Sequence, residues 1–420
     1  MSPPTLEDRI AALREGRGAE LADPYELYAA LRGEAPVLRP GAEQQVLVSR
    51  YRDVRAVYMD GERFRKEYEA EGIHARRLEA QVPEALRGKF REVSDFELLM
   101  MPRVDDPQHA RLRRIAHRAF TPRVVAELES YVQRLTDEHL DAMEGRADVD
   151  LIAEFAYRVP LLAIARMLGV PSEDAPMIRE WTNRRGAFIG RERRDAESIE
   201  PWFDALQEFR AYVRDLLAEF RHSRPDTNLV TALMDGGEDA LGEDELVAMF
   251  VVLLFAGHET TTNLIGNGML AMLRRREHWE RLCADPGLAP TAVEELLRWD
   301  APVQGTMRIA RTELEIGGVS VRPDDLVLLL IGAANRDADA FERPDELDLA
   351  RDPNRHLSFA VGQRFCLGAS LARLEGRIAF ASLARSYPDV ALATEEAEWH
   401  PSFVLRGLTR LPVSVGARAR

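Results

Sequence analysis

Only two of the 420 residues are cysteine, Cys283 and Cys366, too few for a disulfide framework. Basic residues are outnumbered, 56 Lys and Arg against 71 Asp and Glu, and the net charge of −15 argues against general nucleic-acid binding. Any basic partner surface must therefore be local. A long hydrophobic run is missing too: the longest, residues 246–256, falls well short of the roughly 20 residues that cross a bilayer, and His258 and Glu259 follow it closely. No membrane span is expected. Glycine and proline do not gather into a linker and no internal repeat is present, so one large domain or two fused lobes is the expectation. The opening MSPPTLEDRI has neither the n-region nor the apolar h-region of a secretory signal, which predicts a reducing, cytoplasmic setting.

Helical periodicity dominates what is present. Apolar residues recur at spacings of three and four over 124–143, 151–168, 203–220, 245–275 and 291–299. Strand-like pieces are short: 45–48, 314–321 with Gly317-Gly318 as a hairpin turn, 326–330, and a patchily alternating 405–415 that could close a small sheet. The fold class is mainly α with a minor β component. Gly266 and Gly268 lie inside a helix, which excludes a phosphate-binding loop there.

Cys366 stands just before a helix in which Leu371, Leu374 and Ile378 line one face. Free N–H groups and the positive end of the helix dipole lie close to its sulfur and favour thiolate. Gly362 and Gly368 bracket it and let the backbone turn sharply and approach something flat. Alone, such a cysteine is more often a small packed hydrophobe. The order Phe359, Gly362, Arg364, Cys366, Gly368 fits F-x-x-G-x-[HR]-x-C-x-G, however, and this resembles the haem-thiolate loop of the cytochrome P450 family. One departure is plain: Ala360 follows Phe359 where relatives often have glycine.

A second stretch, LLFAGHETTTNLIGNG, sets charged and hydroxylated groups in the most apolar helix, where leaving them without partners costs several kcal/mol. Back-bonding to the preceding turn would account for Thr260, Thr261 and Thr262 and leave Glu259 unexplained. Ala256-Gly257-His258-Glu259-Thr260 resembles the family's distal-helix motif [AG]-G-x-[DE]-T. The resemblance implies that Gly257 admits haem close to the helix and that Glu259 and Thr260 form the catalytic acid–alcohol pair that delivers protons.

Glu295 and Arg298 sit three apart on one helix face, a spacing that usually gives a solvated pair; here they resemble the family's E-x-x-R, with Arg351 as the arginine completing an architectural network. The segment DDPQHARLRRIAHRAFTPR resembles the family's H-x-x-x-R, which implies that His109 and Arg113 face the haem propionates, joined by Arg308 and Arg364. His117, His356 and Cys283 are read as structural.

The resemblance runs from about residue 23 to 415. It implies the cytochrome P450 fold, a large helical lobe plus a small β-rich lobe, with 1–22 as an N-terminal extension and 23–420 as a single haem domain. It implies haem b (iron protoporphyrin IX) with Cys366 as the metal ligand, and a haem-thiolate monooxygenase that hydroxylates or epoxidises an apolar, medium-sized organic substrate, with secondary metabolism as the expected setting. Electrons are expected from a ferredoxin and ferredoxin reductase, docking at a basic patch of Arg111, Arg114 and Arg118. By position, the substrate wall draws on the 68–100 loop, Phe188, Val252, Ala256, Thr306, Met307, Phe403 and Val404. Arg184, Arg185, Arg191, Arg193 and Arg194 are either a solvated face or a receptor for an acidic partner, such as a carrier protein bearing the substrate. The expected state is a monomer without nucleic-acid or membrane partners. Two alternatives stand: atypical oxidation on the same fold (phenol coupling, nitration, peroxide-driven chemistry), or a non-catalytic haem sensor.

Overall fold

The computed structural model describes residues 4–41, 45–66, 78–118, 120–190, 195–223, 228–234 and 240–419. Its axis is a 32-residue helix, Glu243–Arg274, opened by Glu243, Asp244 and Glu245 against the positive end of its dipole. This helix is apolar on every side and is wrapped by others, as an all-round hydrophobic helix must be. By length and composition alone it could cross a bilayer, yet most of it is buried inside the molecule. Against it pack Arg158–Met167, Ala196–Ser223, Ala289–Trp299 and Ala369–Ser386. They share one large hydrophobic core.

The helical periods hold, with finer divisions. The 124–143 period is two helices, Pro122–Glu127 and Glu129–Asp141, and 151–168 opens as a π turn, Ile152–Ala156, before Arg158–Met167. The stretch expected as a loop over 68–100 contains the helix Arg87–Glu97, while residues 67–77 lie outside the described ones.

The β part is a five-stranded sheet in the order Val37–Leu38, Gln45–Val48, Leu326–Leu330, Gly305–Ala310, Phe64–Arg65. Gln45–Val48 runs parallel to Leu326–Leu330, and the other pairings are antiparallel. Gly317 and Gly318, both at positive φ, turn the expected hairpin between Leu314–Ile316 and Val319–Val321. The 405–415 region does not close one sheet: Leu408–Arg410 pairs with Glu398–Trp399, whereas Pro412–Ser414 joins Asp148–Asp150 and Ala391–Leu392. An extension ending at residue 22 is not separable from the rest either. Ile10 and Leu13 are buried in one cluster with Leu27, Tyr28 and Leu31.

Glu295 and Arg298 are wholly buried and form a bidentate pair at 2.7 Å. Arg298 also donates to the carbonyls of Asn335, Pro344 and Glu346. Glu295 accepts further from Arg351, Asn354 and the Asp348 N–H, at 2.9–3.0 Å. The network thereby ties the Ala289–Trp299 helix to the chain that leads into the cysteine loop. Removing one partner strands a buried charge, so Arg298→Met is expected to cost about 3–5 kcal/mol, read as a lowered midpoint in urea unfolding, with Glu295→Gln/Arg298→Met recovering part of the loss.

Candidate active site

The cysteine loop is a short 3-10 turn, Gly362–Arg364, leading to Cys366, whose N–H donates to the Phe359 carbonyl at 2.8 Å. Beyond Gly368 the helix Ala369–Ser386 begins. Arg373, on its second turn, lies 4.6 Å over the Phe359 ring and forms a bidentate pair with Glu294 at 2.7 and 2.8 Å. His356 bonds the same carboxylate at 3.2 Å. These partners pull Glu294 down to about 2 despite its partial burial.

Gly362 takes a positive φ, and so does Ala360, at +56°. A residue with a Cβ is strained there by about 1–2 kcal/mol. The position where relatives often carry glycine is thus the one at which this backbone asks for it.

Cys366 is exposed. The loss of bulk water around the sulfur pushes the thiol up, while the Gly368 N–H, Arg113 and Arg373 favour its anion, as expected of the helix start. A bound metal would deprotonate a coordinating thiol outright.

Cys366 lines a cavity of about 370 Å³ beneath the central helix. Val252, Leu253, Ala256, Gly257 and Thr260 form one wall, with the cysteine loop opposite. Lys66, Arg113, Arg308, Arg364 and His109 also line it, and among the described residues no carboxylate does. Burial lowers His109, helped by the Arg364 charge, and lowers Arg308 likewise. Arg308 lies 5.0 Å over the Tyr58 ring, Arg113 donates to the Phe365 carbonyl at 2.7 Å, and Arg364 pairs with Asp105 at 2.5 Å.

This lining fits haem. Among the described residues no three His, Cys, Asp or Glu side chains converge, so a metal at Cys366 has to bring its other ligands with it. A set of cations suits two propionates. A wider hollow of about 600 Å³, between residues 124–131 and 162–172, contains none of these groups.

Several expected residues lie elsewhere. Val252, Ala256 and Thr306 line the cavity; Phe188, Met307, Phe403 and Val404 do not. On the Gly305–Ala310 strand Thr306 and Arg308 face inward, which by the two-residue period turns Met307 toward the N-terminal cluster, where Phe403 also packs. Phe188 is buried, with its ring 6.5 Å from that of Phe90. The Val404 carbonyl accepts the Gln304 N–H. Arg185 is no receptor for an acidic partner: it is buried and clamps Glu97 with two bonds of 2.8 Å. Arg184 pairs with Glu180, and Arg191, Arg193 and Arg194 fall outside the described residues. Of the presumed docking patch, Arg111 is bound to Glu245, while Arg114 and Arg118 are exposed.

Gly257 lines the cavity and has a second reason besides. A Cβ there would meet Ile164 at 2.7 Å, so helix packing already demands glycine. Thr260 bonds back to the Ala256 carbonyl at 3.1 Å and opens into the cavity, whereas Glu259 does not line it. Burial pushes the Glu259 carboxyl up, opposed by the neighbouring Asn263 amide and the Arg179 charge.

Lys66 and Glu294 escaped the sequence reading. Lys66 Nζ donates to Thr306 Oγ1 and the Met307 carbonyl, both at 3.0 Å, and burial with the nearby Arg308 charge lowers it well below an ordinary lysine. No spacing pattern marks it. Glu294 could have been found as the neighbour of Glu295 on a helix with two buried sides.

A cytochrome P450 family model matches residues 288–399. The chain is similar to the vitamin D(3) 25-hydroxylase of Pseudonocardia autotrophica, 37% identical over 405 residues that cover 94% of this chain and 95% of the relative. It is also similar to the polyketide biosynthesis cytochrome P450 PksS of Bacillus subtilis, 39% identical over 326 residues, 76% of this chain and 79% of that one. Among solved structures it superposes on P450BioI in complex with an acyl carrier protein ligated to hexadec-9Z-enoic acid, with a TM-score of 0.85 and 34% identity over 94% of this chain and 98% of that chain.

Two measurements follow. Ala360→Gly is expected to raise stability by about 1 kcal/mol in urea unfolding, since the relieved strain exceeds the entropy cost of glycine. For Glu294, whose folded-state pKa is depressed, the stabilisation is present above 4.5 and is lost as pH falls toward about 2. Glu294→Gln should therefore flatten the acid limb of the stability profile within that window.

Proposed function

The chain belongs to the cytochrome P450 family, and from that premise we propose that this P450 monooxygenase inserts oxygen into an apolar, medium-sized organic substrate. Its cofactor is haem b. The observation that carries the reading is the single cavity in which Cys366, the cations and Thr260 meet.

In this reading Cys366 is the metal ligand, and Arg113, Arg308, Arg364 and His109, with Lys66, hold the propionates. Bound haem supplies dioxygen binding and cleavage, and thiolate ligation favours the O–O cleavage, as is general for the family. Thr260 presents a hydroxyl to the cavity, and Glu259, a carboxyl whose pKa burial raises, restocks it with protons. Hydroxylation consumes a substrate C–H bond, dioxygen, two electrons and two protons, and yields an alcohol and water. Val252, Leu253, Ala256 and Val303 make the substrate side apolar and exclude water that would otherwise divert protons. Glu295, Arg298 and Arg351 hold the loop and take no part in the chemistry.

Electrons come from a separate donor, a ferredoxin with its reductase. Arg114 and Arg118 are exposed on this face, beside Arg111, which pairs with Glu245. The pairing of P450BioI with a carrier-bound fatty acid and the polyketide role in the name of PksS make secondary metabolism, with a free or carrier-bound substrate, the setting we favour. Two unpaired cysteines suit a reducing cytoplasm.

The reading is tested by the reduced, carbon monoxide-treated protein, which should absorb at about 450 nm, whereas Cys366→Ser should lose that band. A Soret titration against steroids, fatty acids and polyketides then identifies the substrate class by the shift to high-spin iron. Thr260→Ala should keep that titration and divert reducing equivalents from product to peroxide.

A further inference from the structure

Glu259 and Thr260 are neighbours in sequence but open into different cavities. Thr260 faces the main one, and Glu259 a second hollow of about 100 Å³ at the meeting of three elements. The central helix contributes Glu259 and Asn263, the Ala175–Gly190 helix contributes Thr182 and Asn183, and the loop after Trp399 contributes His400 and Ser402. The hollow has room for water and polar walls to hold it. The Glu259 side chain is 17% exposed although it does not line the main cavity.

Two imidazoles flank this carboxyl, and they are not equivalent. His258 is sealed: it has no exposed surface, its Nδ1 is 2.6 Å from the Leu254 carbonyl, and its Nε2 faces the Thr182 hydroxyl at 3.3 Å and Glu259 at 3.9 Å. Burial lowers it to about 4, so it stays neutral and out of reach of solvent protons. His400 lines the hollow from the outer side and is exposed. Its loop is pinned to the central helix, because the His400 N–H donates to the Gly407 carbonyl, Asn267 Nδ2 donates to the Arg406 carbonyl, and a Cβ on Gly407 would overlap Asn263 Oδ1 at 1.9 Å.

We propose that this hollow is the proton port of the enzyme, with His400 as its outer relay and Glu259 as its inner receiver. The inference rests on the reading of Glu259 and Thr260 as the proton source. His400 takes a proton from bulk water on one ring nitrogen and releases the proton on the other to water in the hollow. That water passes a proton to the Glu259 carboxylate. His400 ends neutral with its proton on the opposite nitrogen, and exchange with solvent resets it. Besides Glu259 and His258, the charged group that faces His400 is Arg179, whose guanidinium lies 4.0 Å over the Tyr157 ring; the loss of surrounding water and this charge both lower His400 below an ordinary histidine. A neutral ring both accepts and donates, as a relay requires.

The test uses the haem-loaded protein without any substrate. A carbonyl band at about 450 nm in the wild type secures the haem-thiolate reading on its own, and its absence there would remove that reading and not this one alone. In ring-proton NMR of the ferrous carbonyl form, the signal absent from His400→Ala is expected to titrate with a midpoint that falls by about half a pH unit in Glu259→Gln, as removal of a nearby carboxylate predicts. In dioxygen consumption driven by a surrogate ferredoxin and reductase, His400→Ala and His400→Gln should each slow the rate about fivefold and enlarge the solvent deuterium isotope effect. A His400 midpoint indifferent to Glu259→Gln, or a rate and isotope effect unchanged in both His400 variants, overturns the proposal.

Discussion

A single buried carboxylate holds the architecture of this site together. Glu295 accepts from both arms of Arg298, from Arg351, from Asn354 and from the Asp348 N–H, so its charge is spread over five donors drawn from two separate stretches of chain. Such a group is costly to bury and far costlier to leave half-satisfied. Every segment that supplies a donor is therefore held at hydrogen-bond distance from one helix. The chain from Asn335 to Asn354 is fixed in this way, and from there Asn335 reaches on to Ser358 and the Leu357 N–H, at the entrance of the cysteine loop. The position of the sulfur is inherited from the carboxylate.

What could be read from the sequence is what local spacing encodes. The cysteine loop, the E-x-x-R pair and the H-x-x-x-R pair each bring their members together within about one turn or one loop, so the pattern along the chain already states the contact. Side chains whose position depends on register or on distant elements were illegible. Of the two neighbours expected in the substrate wall, Thr306 lines the cavity and Met307 does not, the difference being one residue on a strand, which reverses the face. Arg185 reads as part of a solvated face or an acidic-partner receptor because its partner, Glu97, lies 88 residues away. Lys66 carries no motif at all. The divergence of Glu259 and Thr260 was in principle foreseeable, since consecutive residues on an α-helix point about 100° apart; reading them as one pair hid it.

Charge within the cavity is arranged in advance of its guest. Burial lowers Lys66, Arg308 and Arg364, the charges of Arg308 and Arg364 lower Lys66 further, Arg364 also lowers Arg308, and Asp105 offsets only part of this. The same cavity holds Cys366. A ligand that brought a metal to the sulfur and carboxylates to the cations would meet both kinds of group in one place, which is how binding and structure become linked.

The strain at Ala360 belongs to the same logic. A positive φ at alanine persists only where surrounding contacts over-determine the backbone. Here the Ala360 N–H is bound to the Leu357 carbonyl and the Cys366 N–H to the Phe359 carbonyl, while Arg373, itself clamped by Glu294, covers the Phe359 ring. These contacts fix the chain on both sides of residue 360 without using its side chain. The loop shape therefore does not come from the glycine that relatives carry at this point, and the requirement for a left-handed residue follows from the anchors around it. Substituting alanine costs stability and leaves the sulfur where Glu294, Glu295 and their arginines put it.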